Sequence, residues 1–209
     1  MLRYLYDDDL ARHPRLAREM FEHRALQFRD RLGWNVSVDA DGQERDEFDR
    51  AKPLYVIWET TDGGHGGSAR FLPTTGDTMV NDHFRHLSGG GAIRSPQIWE
   101  CTRFCLAPGA EGRVASALML GGAELMRRFD LTHLLGVFDM SMLRVYRILG
   151  SVPEVLGKEG GIGVGLWHEN PEDRARLLKR ARLAEALVRR WTDRAFGAEL
   201  APASARLTA

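Results

Sequence analysis

Two charged residues, Glu100 and Arg103, lie in a segment that otherwise reads as a buried strand. Residues 98–106 combine aromatic, β-branched and cysteine residues, a composition typical of strands. Because side chains alternate between the two faces of a strand, the pattern predicts two sets. One face carries Trp99, Cys101, Arg103 and Cys105, and the other carries Ile98, Glu100, Thr102 and Phe104. One charge therefore lies on the buried face, where an unpaired charge is costly. The two residues form either a structural ion pair at a sheet edge or part of a functional site.

A second set of candidate residues precedes this strand. Arg24 and Phe28 are four residues apart on a predicted helix and so share one face. The polar segment 35–52 contains Asp46 and Asp49 in an acidic run, with Trp34 just before it. Acids close to aromatic rings suit a cationic organic ligand. The other interpretation of an acidic run in a loop is solvated surface.

The hydrophobic pattern predicts the elements that position these residues. Strands are predicted over 2–5, 54–58, 68–72, 98–106, 132–138, 152–156 and 162–167. Helices are predicted over 8–32, 81–86, 113–129, 140–149 and 171–194. Strands before and between helices predict one α/β domain over 1–197, with a mixed sheet between layers of helices. The Ala-rich segment 198–209 is predicted to be a frayed tail.

The composition is ordinary for a soluble globular protein, with 44% hydrophobic and 28% charged residues. The formal net charge of zero gives no overall field for nucleic acid. No apolar run approaches membrane-spanning length, and the acidic residues near Met1 argue against a signal peptide. We therefore expect a cytoplasmic protein that binds neither nucleic acid nor membrane. Cys101 and Cys105 share a predicted strand face, where a bridge is geometrically poor, so both are predicted to be reduced.

A glycine-rich segment does not predict a phosphate loop. Residues 62–67 read Asp-Gly-Gly-His-Gly-Gly, which is typical of a hairpin turn between two strands. A phosphate loop would need a following helix and a lysine, and this segment has neither.

Together these residues resemble the acyl-homoserine-lactone synthases, the LuxI-type autoinducer synthases of bacterial quorum sensing. The similarity covers residues 1–150 and rests on a series of motifs in one order and spacing. They are Arg24, Phe28 and Trp34; Asp46 and Asp49 in Glu-Arg-Asp-Glu-Phe-Asp; Arg70 in Ala-Arg-Phe-Leu-Pro-Thr-Thr-Gly; Phe84 in Asn-Asp-His-Phe; and Glu100 with Arg103 in Trp-Glu-Cys-Thr-Arg-Phe. Each motif alone is weak evidence for this family, whereas the whole series in the same order and spacing is strong evidence. The resemblance implies a GNAT-like fold, a mixed sheet with a V-shaped cleft between central strands, flanked by helices.

The resemblance also implies a reaction and the residues that perform it. In this family the α-amine of S-adenosylmethionine attacks the thioester of an acyl carrier protein, and an amide forms. The methionine carboxylate then closes the lactone and expels methylthioadenosine. S-adenosylmethionine is thus a substrate, and neither a cofactor nor a metal is expected. The implied S-adenosylmethionine-binding residues are Arg24, Phe28, Trp34, Asp46, Asp49, Phe84 and Arg103.

The implied catalytic set is Glu100 with Arg103 and Arg70. The attacking amine must lose a proton, and Glu100 matches the family's proton acceptor, acting directly or through a water. Arg70 is expected to organise the acidic cluster. The alternative role for Glu100 is an ion pair with Arg103 or Arg70, and a base can also be oriented in this way.

The acyl chain is expected between the helix near residue 113 and the strand over 131–138. The predicted pocket residues are Leu118, Leu135, Gly136, Val137 and Phe138. Many relatives have a Thr-rich strand here, whereas Gly136 and Phe138 offer no hydrogen-bond donor. We therefore expect an unsubstituted or hydroxylated chain, with Gly136 leaving room for length.

The expected donor is an acidic acyl carrier protein, so a basic docking patch is expected. Its candidates by position are Arg127, Arg128, Arg144 and Arg147. The alternative for these residues is a solvated helix face. The arginine-rich helix over 171–194 is predicted to be a charged surface helix.

Two other functions are consistent with parts of this pattern. A GNAT-type acyltransferase would use acyl-CoA and would hold its diphosphate in a glycine-rich loop that opens a helix. The corresponding segment here, 108–113, lacks that glycine spacing and carries Glu111, which disfavours CoA, although some synthases of this family accept acyl-CoA. An inactive S-adenosylmethionine-binding relative is the other alternative, and the presence of Glu100 argues against it.

Overall fold

The computed structural model describes residues 1–198, which form a seven-stranded sheet covered by helices. The strands are β1 (Leu2–Tyr6), β2 (Leu54–Glu59), β3 (His65–Pro73), β4 (Ile98–Leu106), β5 (His133–Asp139), β6 (Glu154–Glu159) and β7 (Ile162–His168). They lie in the order β1-β2-β3-β4-β5-β7-β6. Neighbouring strands are antiparallel except β4 and β5, which are parallel. The predicted mixed sheet is confirmed.

In the described part of the chain, seven α-helices connect and cover these strands. They are α1 (Asp7–Leu10), α2 (Pro14–Ala25), α3 (Met79–His83), α4 (Arg113–Arg128), α5 (Met142–Leu149), α6 (Pro171–Ala181) and α7 (Glu185–Phe196). A π-helix over Leu26–Arg31 continues α2, and 3₁₀ turns cover Glu47–Arg50 and Arg85–Ser88. The start of α6 follows from its sequence. The Asn170 side chain accepts hydrogen bonds from two backbone N–H groups of the first turn, and Pro171 takes the first helical position.

Two predicted elements have different bounds in the structure. The helix predicted over 171–194 is two helices, because Arg182 has φ 55°, a left-handed conformation that ends α6. The strand predicted over 152–156 is β6, which begins at Glu154. Glu159 pairs with Ile162 across a Gly160–Gly161 turn, and both glycines have positive φ. This two-residue hairpin turn sets the position of β6.

The sheet has a different helical layer on each face. On the α4 face, α4 packs against alternate strand residues that include Val56 and Phe71. On the α2 face, Met20 and Phe21 of α2 pack against Tyr55 and Ile57 of β2. Helix α4 lies close to the sheet, since a Cβ on Gly121 of α4 would be 2.5 Å from Cγ1 of Val56 in β2. Only glycine permits this approach.

The predicted V-shaped cleft is confirmed between β4 and β5. These strands pair only at their first residues, from Ile98 opposite His133 to Glu100 opposite Leu135. Beyond Glu100, β4 continues beside β3 and β5 continues beside β7. The two strands therefore separate toward their C-terminal ends, and the sheet is open there.

A bulge in β4 changes the face to which its later side chains point. The four residues of β4 from Thr102 to Cys105 lie opposite only three residues of β3, from Arg70 to Ser68. Within this part of β4, Arg103 has φ 52°. The extra residue reverses the alternation. The predicted common face for Trp99, Cys101, Arg103 and Cys105 is therefore wrong beyond the bulge. Cys105 and Cys101 are both free thiols, as predicted.

Within residues 1–198, no helix combines the length and the apolar character that a membrane crossing requires. The predicted frayed tail, 198–209, falls outside the described residues apart from Ala198, so it stays a prediction.

Candidate active site

Three arginines and three acids form one ion-pair network on the α2 face. Arg24 Nε lies 2.5 Å from Glu44, and its two other nitrogens each lie 2.9 Å from Asp49. Arg70 pairs with Asp46 and lies 2.9 Å from Asp49. Arg103 closes the network at 2.9 Å from Glu44 and 2.8 Å from Asp46. The network thus joins α2, the 35–52 segment, β3 and β4.

The network is electrically balanced and mostly buried. Arg24, Arg70 and Glu44 are at most 1% exposed. Burial of these charges is tolerated because each has a partner of opposite sign. Asp46 also accepts hydrogen bonds from the backbone N–H groups of Phe48 and Asp49, which fixes the 3₁₀ turn. The first role of this network is therefore to hold the 35–52 segment against the sheet.

Glu44 is a network member that the sequence analysis did not single out. It is 0% exposed and pairs with both Arg24 and Arg103. Its only signal is its place two residues before Asp46 in the acidic run. Sequence alone does not separate this buried acid from its exposed neighbours, because the 35–52 segment has no regular period.

Asp49 is bound by two of the three arginines of the network, Arg24 and Arg70. Burial would raise the pKa of Asp49, but hydrogen bonding and charge from Arg24, with the charge of Arg70, hold that pKa well below its usual range. Tyr55 Oη also donates to Asp49 at 2.8 Å. All of these contacts favour the ionised carboxylate.

We expect the free energy of unfolding to decrease as the pH falls from about 5 toward 3. The folded pKa of Asp49 is depressed, so its ionisation stabilises the fold above the pKa of the unfolded chain. This stabilisation is lost as the pH falls below that value. Urea unfolding at a series of pH values measures the slope. In Asp49→Asn the slope should be shallower, and an identical slope would mean that other acids carry the pH dependence.

Glu100 has a different environment from the one predicted. Its two carboxylate oxygens accept hydrogen bonds from the backbone N–H groups of Met79 at 2.9 Å and Val80 at 2.6 Å. Within residues 1–198 it forms no ion pair with Arg103 or Arg70, so the ion-pair alternative is wrong. Glu100 is 1% exposed, and burial raises its pKa against the opposing effect of the two N–H groups. It is thus a fixed carboxylate with a raised proton affinity.

A cavity of about 1210 Å³ passes through the cleft beside this network. Four of the predicted S-adenosylmethionine residues line it, namely Phe28, Trp34, Phe84 and Arg103. The Phe28 and Trp34 rings are stacked with centroids 5.2 Å apart, and the Arg103 guanidinium lies 5.4 Å from the Phe28 centroid. The other predicted residues, Arg24, Asp46, Asp49, Arg70 and Glu100, lie behind this wall. They therefore support the cavity from behind its first layer of side chains.

The other end of the cavity is apolar and lies between α4 and β5. Four of the five predicted acyl-pocket residues line it: Leu118, Gly136, Val137 and Phe138. Leu135 does not, because strand alternation turns it toward the α2 face, where it packs with Val80 and Val164. Among the lining residues that were not predicted are Tyr146 of α5 and Trp167 of β7, whose ring centroids lie 5.1 Å apart.

The space beside Gly136 is already filled. A Cβ at this position would lie 3.1 Å from the Trp167 ring and 3.3 Å from the Cys101 carbonyl oxygen. The expectation that Gly136 leaves room for a longer acyl chain is therefore wrong, since the room is taken by Trp167.

Gly136→Ala should lower the free energy of unfolding by about 1–3 kcal/mol, the usual cost of overpacking a filled site. Gly112→Ala is the matched control. Gly112 has an ordinary helical φ of −56°, and no atom lies within 4 Å of the position that a Cβ would take there, so its effect should be within about 0.5 kcal/mol. Thermal or urea unfolding of both variants measures the difference. Equal stability of the two variants would mean that Trp167 moves aside freely.

The four arginines proposed for carrier docking lie in two places. Arg144 and Arg147 are exposed on α5, whose residue Val145 lines the cavity. Arg127 and Arg128 are in the last turn of α4, and Arg128 donates a hydrogen bond to the Phe196 carbonyl oxygen. None of the four arginines is among the residues that line the cavity, although a neighbour of each pair, Met126 of α4 and Val145 of α5, does line it.

A histidine pair beside the cavity was also not predicted. His23 and His65 have their Nδ1 atoms 2.8 Å apart, and His23 lines the cavity. Burial and the nearby charges of His23 and Arg24 lower the pKa of His65 to about 3, so it is neutral. Residues 1–198 contain no group of three or more His, Cys, Asp or Glu side chains arranged to hold a metal ion.

The chain matches known proteins over most of its length. Residues 7–164 match the family model described as autoinducer synthase. An acyl-homoserine-lactone synthase of Rhizobium etli is 41% identical over 198 residues, which cover 90% of this chain and 92% of that protein.

Solved structures agree with this match. TofI, in a ternary complex with an inhibitor and MTA, is 27% identical with a TM-score of 0.67, over 88% of this chain and 99% of TofI. MesI, a CoA-dependent acyl-homoserine lactone synthase, is 23% identical with a TM-score of 0.76, over 88% of this chain and 96% of MesI. At that identity the likeness to MesI concerns the fold alone.

Proposed function

Because the chain belongs to the autoinducer synthase family, we propose that it makes an N-acyl-L-homoserine lactone from S-adenosyl-L-methionine and an acyl thioester. The observation that carries this proposal is the single cavity that runs from the Phe28–Trp34 stack to the apolar wall between α4 and β5. One space can thus hold a cationic substrate and an acyl chain end to end. Placing two reactants in one geometry supplies much of the catalysis of such a reaction.

S-adenosylmethionine is proposed to occupy the end with Phe28, Trp34, Phe84 and Arg103. The electron-rich faces of Phe28 and Trp34 suit its sulfonium, and the Arg103 guanidinium at the wall suits its carboxylate. Arg24, Asp46, Asp49 and Arg70 are proposed to position this wall. Their charges are matched within the network, so they orient the site without adding net charge to it.

Amide formation is proposed to come first. The α-amine attacks the thioester carbonyl, its nitrogen loses a proton, and the carrier leaves as the thiol. Glu100 is the proposed proton acceptor, and the proton is proposed to reach it through a water because this carboxylate lies behind the cavity wall. Each of its oxygens accepts one backbone N–H and has a second lone pair. A raised pKa brings this carboxylate closer to the range in which a general base is effective.

Lactone formation then follows within the same molecule. The methionine carboxylate attacks its own γ-carbon, the carbon–sulfur bond breaks, and methylthioadenosine leaves with the bonding electrons on sulfur. The cavity is proposed to hold the carboxylate near the reacting carbon, and Phe28 and Trp34 to limit access of water. Cationic sulfur becomes neutral in this step, so no separate acid is needed for the leaving group.

The proposed donor is an acyl carrier protein, with acyl-CoA as the alternative. Arg144 and Arg147 on α5 provide positive charge beside the cavity, which suits an acidic carrier. Glu111, which follows the Pro108–Gly109 turn, disfavours CoA at that loop. Both kinds of donor and S-adenosylmethionine are made in the cytoplasm, where we expect the enzyme to act.

An assay with S-adenosylmethionine and a matched panel of acyl carrier proteins and acyl-CoAs tests the donor. Each acyl chain is offered on both carriers, and kcat/KM is measured from lactone formation by mass spectrometry. We expect at least a tenfold preference for the carrier protein. A preference for acyl-CoA would reverse the assignment of the donor. If none of the donors gave lactone, the proposed function itself would be contradicted.

A further inference from the structure

Thr78 immediately precedes α3, and its side-chain hydroxyl is buried without a partner. The residue is 0% exposed. Within residues 1–198, Oγ1 of Thr78 is one of four buried side-chain polar atoms that make no hydrogen bond to the protein. A buried hydroxyl without a partner is costly, and ordered water is the usual partner of such a group. The hydroxyl is therefore a candidate for binding a water molecule inside the protein.

Thr78 is also the N-cap residue of α3, but its side chain does not cap the helix. Its backbone is extended, with φ −145° and ψ 152°, and its side chain accepts no hydrogen bond from the first turn. A threonine at this position ordinarily accepts from the N–H of the second or third helical residue. Val80 is the second residue of α3, and its N–H donates to Glu100 instead. The carboxylate of Glu100 has thus taken the capping role of the threonine.

This exchange of roles places the Thr78 hydroxyl next to the Glu100 carboxylate. The N-cap side chain and the carboxylate approach the same first-turn N–H groups, and the N–H of Met79, the residue after Thr78, lies 2.9 Å from Glu100 Oε2. The hydroxyl and the carboxylate make no direct hydrogen bond. Neighbouring polar groups beyond direct hydrogen-bond distance are commonly bridged by a water. Glu100 has a further lone pair on each oxygen with which to accept from that water.

Met79 connects this pair of polar groups to the cavity. Its backbone N–H binds Glu100, and the residue is part of the cavity lining. Among the described residues that line the cavity, neither Thr78 nor Glu100 is present. A proton that leaves a substrate in the cavity therefore has to pass the layer of Met79 before it reaches Glu100.

We propose that Thr78 is a positioning residue whose hydroxyl, together with Glu100, holds the water that carries the proton from the substrate amine. The inference rests on the proposed function, because it takes amide formation as the reaction and Glu100 as the final proton acceptor. The water donates one hydrogen bond to Glu100. It accepts one from the Thr78 hydroxyl and one from the amine N–H, so that it makes the three hydrogen bonds typical of a buried water.

Proton transfer through this water leaves the water unchanged. As the bond from nitrogen to the thioester carbon forms, the proton on nitrogen passes to the water oxygen, and one of the water protons passes to Glu100. Glu100 is then a neutral acid. When the carbon–sulfur bond breaks, the sulfur leaves with the electron pair and accepts the proton from Glu100 by the same route. The donor thus leaves as a thiol, and Glu100 is again a carboxylate.

Thr78→Val and Thr78→Ser test this role, because valine keeps the shape of threonine without the hydroxyl, and serine keeps the hydroxyl. Single-turnover amide formation should be about tenfold slower in Thr78→Val, the value of one hydrogen bond, and about equal to wild type in Thr78→Ser. The same loss is expected in Thr78→Ala, so the test does not depend on how valine packs. The KM for S-adenosylmethionine should be unchanged in all three variants.

The solvent isotope effect separates a proton relay from a packing role. In mixtures of H₂O and D₂O, the wild-type rate of amide formation should follow a curve against the deuterium fraction, since two protons move in one step. In Thr78→Val the curvature should be lost. Thr192→Val is the matched control, because it removes a buried hydroxyl that donates to the Val188 carbonyl oxygen within α7. This control should keep the wild-type rate and curve.

A slow Thr78→Val variant, a wild-type rate in Thr78→Ser and a lost curvature together support the proposal. A wild-type rate in both Thr78→Val and Thr78→Ala overturns it. An equal loss of rate in Thr78→Ser, or an isotope curve unchanged in Thr78→Val, also overturns it, since Thr78 would then act through packing alone. Absence of an N-acylated product from wild-type protein with every donor would contradict the proposed function rather than the role of Thr78.

Discussion

Replacing Arg24 by methionine should lower the free energy of unfolding by about 3–5 kcal/mol. Arg24 is 1% exposed and is bound to both Glu44 and Asp49. Methionine has a similar length and no charge, so the variant leaves three buried acids with two arginines and the network with one uncompensated negative charge. The cost of that charge is much larger than the small net value of an exposed pair. For a chain of this size the melting temperature should fall by roughly 10 °C.

Arg18→Met provides the matched control on the same helix. The Arg18 side chain is 60% exposed and lies 3.6 Å from Glu22, so its loss should cost at most about 0.5 kcal/mol. Calorimetry of both variants gives the comparison. If Arg24→Met were as stable as Arg18→Met, the network would not be what holds the 35–52 segment on the sheet. The role proposed for it in positioning the cavity wall would then be wrong.

Replacing Glu100 by glutamine should reduce kcat by about 100-fold or more, the usual contribution of a general base. Glutamine keeps one acceptor oxygen, but its amide N–H₂ faces the backbone N–H of Met79 or Val80. One hydrogen bond of the start of α3 is therefore lost, and the free energy of unfolding should fall by about 1–3 kcal/mol. Single-turnover measurement of amide formation isolates the chemical step from product release.

The same substitution at an exposed acid of the edge strand, Glu154→Gln, controls for the change of charge. Glu154 is exposed on β6, and this variant should keep wild-type kcat. The pH profile adds an independent readout, since the acidic limb of kcat/KM should disappear in Glu100→Gln and persist in Glu154→Gln. A folded Glu100→Gln variant with kcat within a few-fold of wild type would leave Glu100 with a purely structural role at α3.

Much of the fold was predictable because its signals are local. The apolar run at 54–58 and the amphipathic pattern at 113–129 correspond to β2 and α4, and the parallel pair β4–β5 follows from the helix between them. The order of the family motifs also predicted which side chains meet. Arg24, Asp46, Asp49, Arg70 and Arg103 do form one network, although only Arg103 among them reaches the cavity wall.

The errors come from features that depend on distant contacts. The bulge at Arg103 is set by pairing with β3, and no glycine or proline marks it in the sequence. Leu135 was wrongly predicted to line the pocket, because alternation within the apolar run 134–138 does not say which side of the strand is the pocket. Trp167 fills the space beside Gly136 from a strand about thirty positions later in the chain. The break at Arg182 likewise has no glycine or proline signal, so α6 and α7 read as one helix.

The most direct test of the central claim is the stoichiometry of the two products. Purified protein is given its best acyl donor and S-adenosylmethionine labelled with ¹³C in the methionine carbons, and products are followed by mass spectrometry. We expect methylthioadenosine and a labelled N-acyl-homoserine lactone to appear together in equal amounts. An N-acylated product formed without methylthioadenosine would contradict the account, since the cavity would then serve amide formation alone.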